Sequence, residues 1–142
     1  VTNRVANQTD PVSAILVVGR DRGALSNITL AGTDTYLNEI WQLCGGENAF
    51  PEVAIKYFSV NEEDLLKKNI EMILEFHPGW QLDPAAYRVE ERAWNFLGPM
   101  KAVVTNQIYI FNDRFFVVPG PRITKIAVAF EKVIHNFRSA DQ

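Results

Sequence analysis

The sequence predicts a three-layer α/β sandwich with a mostly parallel sheet, and three observations carry that prediction. Strand-like and helix-like runs alternate along the chain in the order β-α-β-α-β-α-β-β-α, a pattern whose crossovers place helices on both faces of a sheet. Ala14-Ile15-Leu16-Val17-Val18 is a continuous apolar run closed by Gly19, the composition of a strand covered on both faces. Near the C-terminus, Ile123, Ile126, Ala127, Phe130, Ile134 and Phe137 recur at the spacing of one helical face, behind a rigid Pro119-Gly120-Pro121-Arg122 turn.

Each element has its own local signals. Residues 1–13 are polar and end in the turn-forming Thr9-Asp10-Pro11, so the fold is expected to begin at Ala14. After the first strand, Arg20-Asp21-Arg22-Gly23 makes a charged loop at the strand's C-terminal end, where open α/β sheets bind ligands; a solvated connection has the same composition. A helix from Thr33 puts Tyr36, Leu37, Ile40, Trp41 and Cys44 on one side and ends at Gly45-Gly46, a left-handed cap. Ala54 to Phe58 reads as a short strand. Asn61 then caps a helix whose first turn carries Glu62, Glu63 and Asp64 at the positive end of the dipole.

Ile70 to Phe76 alternates Ile70, Met72, Leu74 and Phe76 against Glu71 and Glu75, a half-buried strand that runs into His77-Pro78-Gly79-Trp80. Asp83-Pro84 opens a helix with Ala86, Val89, Ala93, Trp94 and Leu97 on its apolar stripe, stopped by Gly98-Pro99. Ala102 to Val104 and Gln107 to Phe111 read as two short strands about a turn. The last helix runs from Pro121 to about Phe137.

Composition narrows the function. With 142 residues, 47% of them hydrophobic and 22% charged, the chain is expected to form one folded domain. A formal net charge of −3 and the lack of a basic run argue against nucleic-acid binding. No apolar stretch approaches the roughly 20 residues that span a bilayer. There is no glycine-lysine-serine or glycine-lysine-threonine phosphate loop, no Gly-x-Gly-x-x-Gly and no Gly-x-Ser-x-Gly elbow. Two histidines and one cysteine provide no zinc spacing, and Cys44 reads as a small core residue. His77, in a loop beside Trp80, is the histidine placed to touch or axially ligate a bound metal complex.

Several motifs in series resemble one family. Leu30-Ala31-Gly32-Thr33-Asp34-Thr35-Tyr36-Leu37-Asn38-Glu39 and Cys44-Gly45-Gly46-Glu47-Asn48-Ala49-Phe50 are similar to the signature of substrate-binding proteins of ABC importers for metal chelates. Val60-Asn61-Glu62-Glu63-Asp64-Leu65-Leu66 and Ile70-Glu71-Met72-Ile73-Leu74 follow in family order, as do Trp94, Leu97, Asn106, Ile108-Tyr109 and the Pro-Gly-Pro-Arg run. Ile70-Glu71 stands where the family usually has Pro-Asp.

The resemblance covers about Ala14 to Asn136 and is to the C-terminal lobe alone. It implies one lobe of a bilobed periplasmic binding protein, residues 14–142 forming the ligand-binding lobe and residues 1–13 the remnant of a linker helix. It further implies a non-enzymatic receptor, periplasmic or membrane-anchored outside the cytoplasm, with no intrinsic cofactor and an iron or cobalt chelate (siderophore, haem or cobalamin type) as ligand. Its partners would be the N-terminal lobe of the same protein and a membrane permease. The expected ligand residues are Arg20, Arg22, His77, Trp80, Phe116 and Arg122, arginines for anionic groups and aromatics for flat ones. Glu63, or Glu62 by a one-residue slip, matches the glutamate that pairs with a permease arginine; dipole capping explains the same carboxylates. A self-standing α/β domain, enzyme or signalling module, is the competing reading.

Overall fold

The computed structural model describes residues 10–113 and 123–140. Its strands are β1 (Val12–Gly19), β2 (Ile28–Ala31), β3 (Gly46–Asn48), β4 (Tyr57–Val60), β5 (Met72–Phe76) and β6 (Ile108–Phe111). They form a six-stranded sheet in the order β4-β2-β1-β5-β6, with β3 paired to the N-terminal half of β1. β1 pairs in parallel with β3 and β5, and β5 with β6, whereas β2 is antiparallel to both β1 and β4. The continuous apolar run is therefore the central strand, as its composition predicts.

Alternation along the strands divides the core into two layers. Ala14, Leu16, Met72, Leu74 and Phe76 face α1 (Tyr36–Leu43) and α5 (Ile123–Ala140), where Trp41 meets Phe130 edge to face at 5.3 Å. Ile15, Val17, Leu30, Ile73 and Ile108 face the other layer: α2 (Glu62–Leu66), α3 (Pro84–Arg92), a 3₁₀ turn (Ala93–Leu97) and α4 (Lys101–Val104). The predicted sandwich is thus realised.

The helix ends follow the local signals. Thr35 caps α1 through its hydroxyl, Asn61 and Asp64 form a reciprocal capping box on α2, and the Asp83 carboxylate caps α3 ahead of Pro84. Gly45 adopts φ +106, the left-handed conformation expected after α1.

Four differences separate the elements from their predicted forms. β2 and β3 are strands that sequence reading passed over: each has four residues or fewer, below the length at which alternation stands out. Tyr57–Val60, rather than Ala54–Phe58, is the strand, because the preceding backbone wraps around Gly32: Lys56 O accepts from Gly32 N at 2.7 Å and Val53 O from Thr33 N at 3.2 Å. Ala102–Val104 lies in helix α4, with Ala102 fully buried beneath the sheet and Val104 69% exposed. The helix expected to reach Leu97 tightens to 3₁₀ at Ala93, and that turn holds Trp94 and Leu97 against the sheet.

A Cβ at Gly32 would lie 2.0 Å from the Ile55 carbonyl oxygen, a backbone atom that cannot rotate away. Gly32→Ala should therefore destabilise the fold by about 1–3 kcal/mol, as overpacking does. Urea unfolding checks this: a lower midpoint with an unchanged slope is expected.

Candidate functional site

The parallel strands β1, β5 and β6 end together, since Val17 stands opposite Glu75 and Glu75 opposite Ile110. The loops after Gly19, Phe76 and Phe111 consequently emerge from one edge of the sheet. β4, reached through the antiparallel β2, runs in the same direction as β1. Val60 pairs with Ile28, and Thr29 with Gly19, so the N-terminus of α2 starts from that edge as well.

A buried carboxylate organises the edge. Glu75 has no exposed surface, and both its oxygens are saturated. Oε1 accepts from Arg20 Nε at 2.6 Å and stands 2.8 Å from His77 Nε2; Oε2 accepts from Arg20 Nη2 at 3.0 Å and Trp94 Nε1 at 2.8 Å. Burial alone would raise the Glu75 pKa, but the His77 and Arg20 hydrogen bonds, the Arg20 charge and the Trp94 bond outweigh it, holding the carboxyl below its ordinary value. An ionised carboxylate only accepts, so the proton on this side of His77 belongs to Nε2.

The Arg20 guanidinium, its side chain 0% exposed, also donates to Asp21 O, Ala24 O, Glu90 Oε1 and Glu90 O. Its donors are committed to protein acceptors. Glu90, 3% exposed, further accepts from Gly23 N at 2.7 Å and sits 3.7 Å from Arg22 Nε. One buried network thus ties the β1 loop to the start of the β5 loop and to α3.

Closer to solvent, His77 to Trp80 forms a turn in which Trp80 N donates to His77 O at 3.0 Å. The His77 ring stacks on the Trp80 indole with centroids 3.7 Å apart and planes 9° from parallel. The Arg20 and Arg22 guanidinium carbons lie 5.1 and 5.4 Å from the same ring, within cation–π range. Asn112 Nδ2 donates to Trp80 O at 3.0 Å, anchoring the turn to the end of β6.

The predicted ligand residues Arg20, Arg22, His77 and Trp80 therefore converge, although they come from two separate loops. They divide by exposure: the Arg22 side chain is 49% exposed and Trp80 is half-buried, whereas Arg20 and His77 lie behind them in the protein. His77 Nε2 is committed to Glu75 rather than directed outward. Phe116 and Arg122 lie outside the described residues. Glu62 and Glu63 are exposed on α2, where Asn61 and Asp64 make the capping bonds.

Sequence reading missed Glu75 and Glu90 as members of the site. Glu75 was expected on the polar side of a half-buried strand, but β5 is buried on both faces and the carboxylate is its inward charge. The available signal was an arginine directly after the central strand, which needs a buried acidic partner. Among the described residues no group of three or more His, Cys, Asp or Glu is placed to hold a metal ion. A cavity of about 270 Å³ lined by Val18, Thr35, Tyr36, Leu37 and Tyr57 contains none of the predicted residues.

Either orientation of an amide at position 75 would turn an NH₂ toward two donors. Glu75→Gln is accordingly expected to cost about 3–5 kcal/mol, the penalty of breaking a buried charge pair from one side. In the unmutated protein, the depressed Glu75 pKa contributes stability that is complete above the unfolded value of 4.5 and is lost as pH falls through the folded value. Chemical unfolding across the acid range should show this decline below pH 4.5, reduced in the glutamine variant.

No protein-family model matches the chain, and no curated protein sequence matches it. Solved structures do. An ABC transporter substrate-binding protein from Listeria monocytogenes EGD-e superposes with a TM-score of 0.74 at 16% identity, over 95% of this chain and 54% of that one. An ABC-type Fe3+-hydroxamate transport system from Saccharomonospora viridis gives 0.68 at 20% identity, over 96% and 46%. The periplasmic vitamin B12 binding protein of Vibrio cholerae gives 0.70 at 19% identity, over 96% and 51%. The chain spans about half the length of the solved structures it matches, and its fold is that of one lobe of such ABC-transporter substrate-binding proteins.

Proposed function

We propose that this chain is the C-terminal lobe of an extracytoplasmic substrate-binding protein that captures an iron-siderophore, haem or cobalamin-type chelate and delivers it to an ABC importer. The observation that carries this reading is the alignment of nearly the whole chain with half of each solved receptor, in a lobe whose described expected ligand residues, Arg20, Arg22, His77 and Trp80, gather on one sheet edge. Likeness to substrate-binding proteins of transporters favours binding and delivery over a self-standing enzyme or signalling module.

In this reading Arg22 and Trp80 form the ligand face of the lobe, while Arg20 and His77 support them from within; Phe116 and Arg122 stay proposed ligand residues on the sequence resemblance alone. The N-terminal lobe closes the cleft from the opposite side. Glu63, or Glu62 beside it, meets an arginine of the membrane permease. Both carboxylates are exposed and stand apart from the capping bonds of α2, which suits a charge-assisted contact in trans.

Absorption spectra and metal analysis of the full-length protein as purified test the ligand class; a preparation free of metal chelate that also fails to bind ferric trihydroxamate, haemin or cobalamin would sink it. Glu63→Ala, with Glu62→Ala where needed, is expected to lower uptake while leaving ligand affinity unchanged; unaltered uptake in the double variant removes the docking role. Residues 1–142 alone should bind these chelates weakly or not at all, since the cleft needs both lobes. Equilibrium titration checks this, and micromolar binding by the lone lobe contradicts it.

A further inference from the structure

We infer that His77 is the positioning residue of this edge: held by Glu75, its ring sets the plane in which Trp80 is presented to a ligand. The inference rests on the reading of the edge as a ligand site, and extends it by giving His77 an internal task in place of contact with metal. Three observations combine. The His77 side chain is only 4% exposed, so it lies behind the surface rather than in it. Nε2 stands 2.8 Å from a carboxylate that Arg20 and Trp94 also hold, so the imidazole is pinned to an immobile group. Its face lies 3.7 Å from the indole of Trp80, at 9° from parallel, and Trp80 is half-buried at the protein surface.

Backbone contacts reinforce the same geometry. His77 N donates to Phe111 O at 2.8 Å, Trp80 N to His77 O at 3.0 Å, and Asn112 Nδ2 to Trp80 O at 3.0 Å. The turn is therefore fixed at both ends, and the indole's remaining freedom is rotation about its own side-chain bonds. A stacked imidazole that is itself hydrogen-bonded removes that freedom before ligand arrives, which lowers the ordering cost of binding.

The full chain supplies its own probes. Of its three tryptophans, Trp41 and Trp94 have no exposed surface, so quenching by aqueous acrylamide reports Trp80. Of its two histidines, His135 is exposed on α5. In the unmutated protein the His77 ring protons should be shifted upfield of those of His135 by the indole ring current; coincident shifts would overturn the inference without any substitution. His77→Gln, which keeps a donor for Glu75 but removes the ring, should increase acrylamide quenching. His77→Phe, which keeps a ring but removes the donor, should give an intermediate value, measured well below its unfolding transition because the loss of a donor to buried Glu75 lowers thermal stability. Wild-type quenching in His77→Gln, or equal quenching in the two variants, refutes the positioning role. Titration with ferric trihydroxamate, haemin and cobalamin separates the two readings: altered quenching in the variants with no response of Trp80 to any of the three probes, in the full-length protein, would leave the positioning role standing and remove the ligand site.

Discussion

Glu75 is the constraint on which the arrangement of the loops at the ends of β1 and β5 depends. Removing an isolated carboxylate from water costs several kcal/mol, and the protein offsets that cost only by surrounding it with donors of the right geometry. Those donors, Arg20, His77 and Trp94, come from three elements: the end of the central strand, the loop after β5, and the 3₁₀ turn after α3. Each must be in place for the charge to be tolerated. The carboxylate therefore couples the arrangement of the loops to the folding of the sheet beneath them.

The second carboxylate, Glu90, extends this logic outward. It balances Arg20 from the opposite side and receives Gly23 N, closing the β1 loop down onto α3. Two buried acids thus face one fully buried guanidinium, and the half-exposed Arg22 stands beside the outer of them at 3.7 Å. The loose spacing of that last pair leaves Arg22 the most adaptable charge in the set.

Much of this was legible in the residues. Ala14 to Val18 marked the central strand because a strand buried on both faces must be apolar throughout, and Asn61, Asp83 and Gly45 marked helix ends because backbone groups there need those side chains or that φ. The loops at the C-terminal strand ends, with Arg20, Arg22, His77 and Trp80, followed from topology alone. What escaped was decided by tertiary contact: β2 and β3 are too short to declare a period, and the β-branched valines of Ala102–Val104 were wound into α4 by docking beneath the sheet. Glu75 escaped for a subtler reason. A charge at an alternating position looks solvated until its partners, distant in sequence by 55 residues for Arg20 and 19 for Trp94, are brought to it.

The hairpin formed by β1 and β2 has a topological consequence. Two successive reversals, into β2 and then into β4, restore the direction of the central strand at the far margin of the sheet. The acidic first turn of α2 and the Trp80 loop therefore open toward the same side of the lobe, on either side of the central strand. A large body resting on that side would meet both features in one encounter, so contact at one would also set its position over the other.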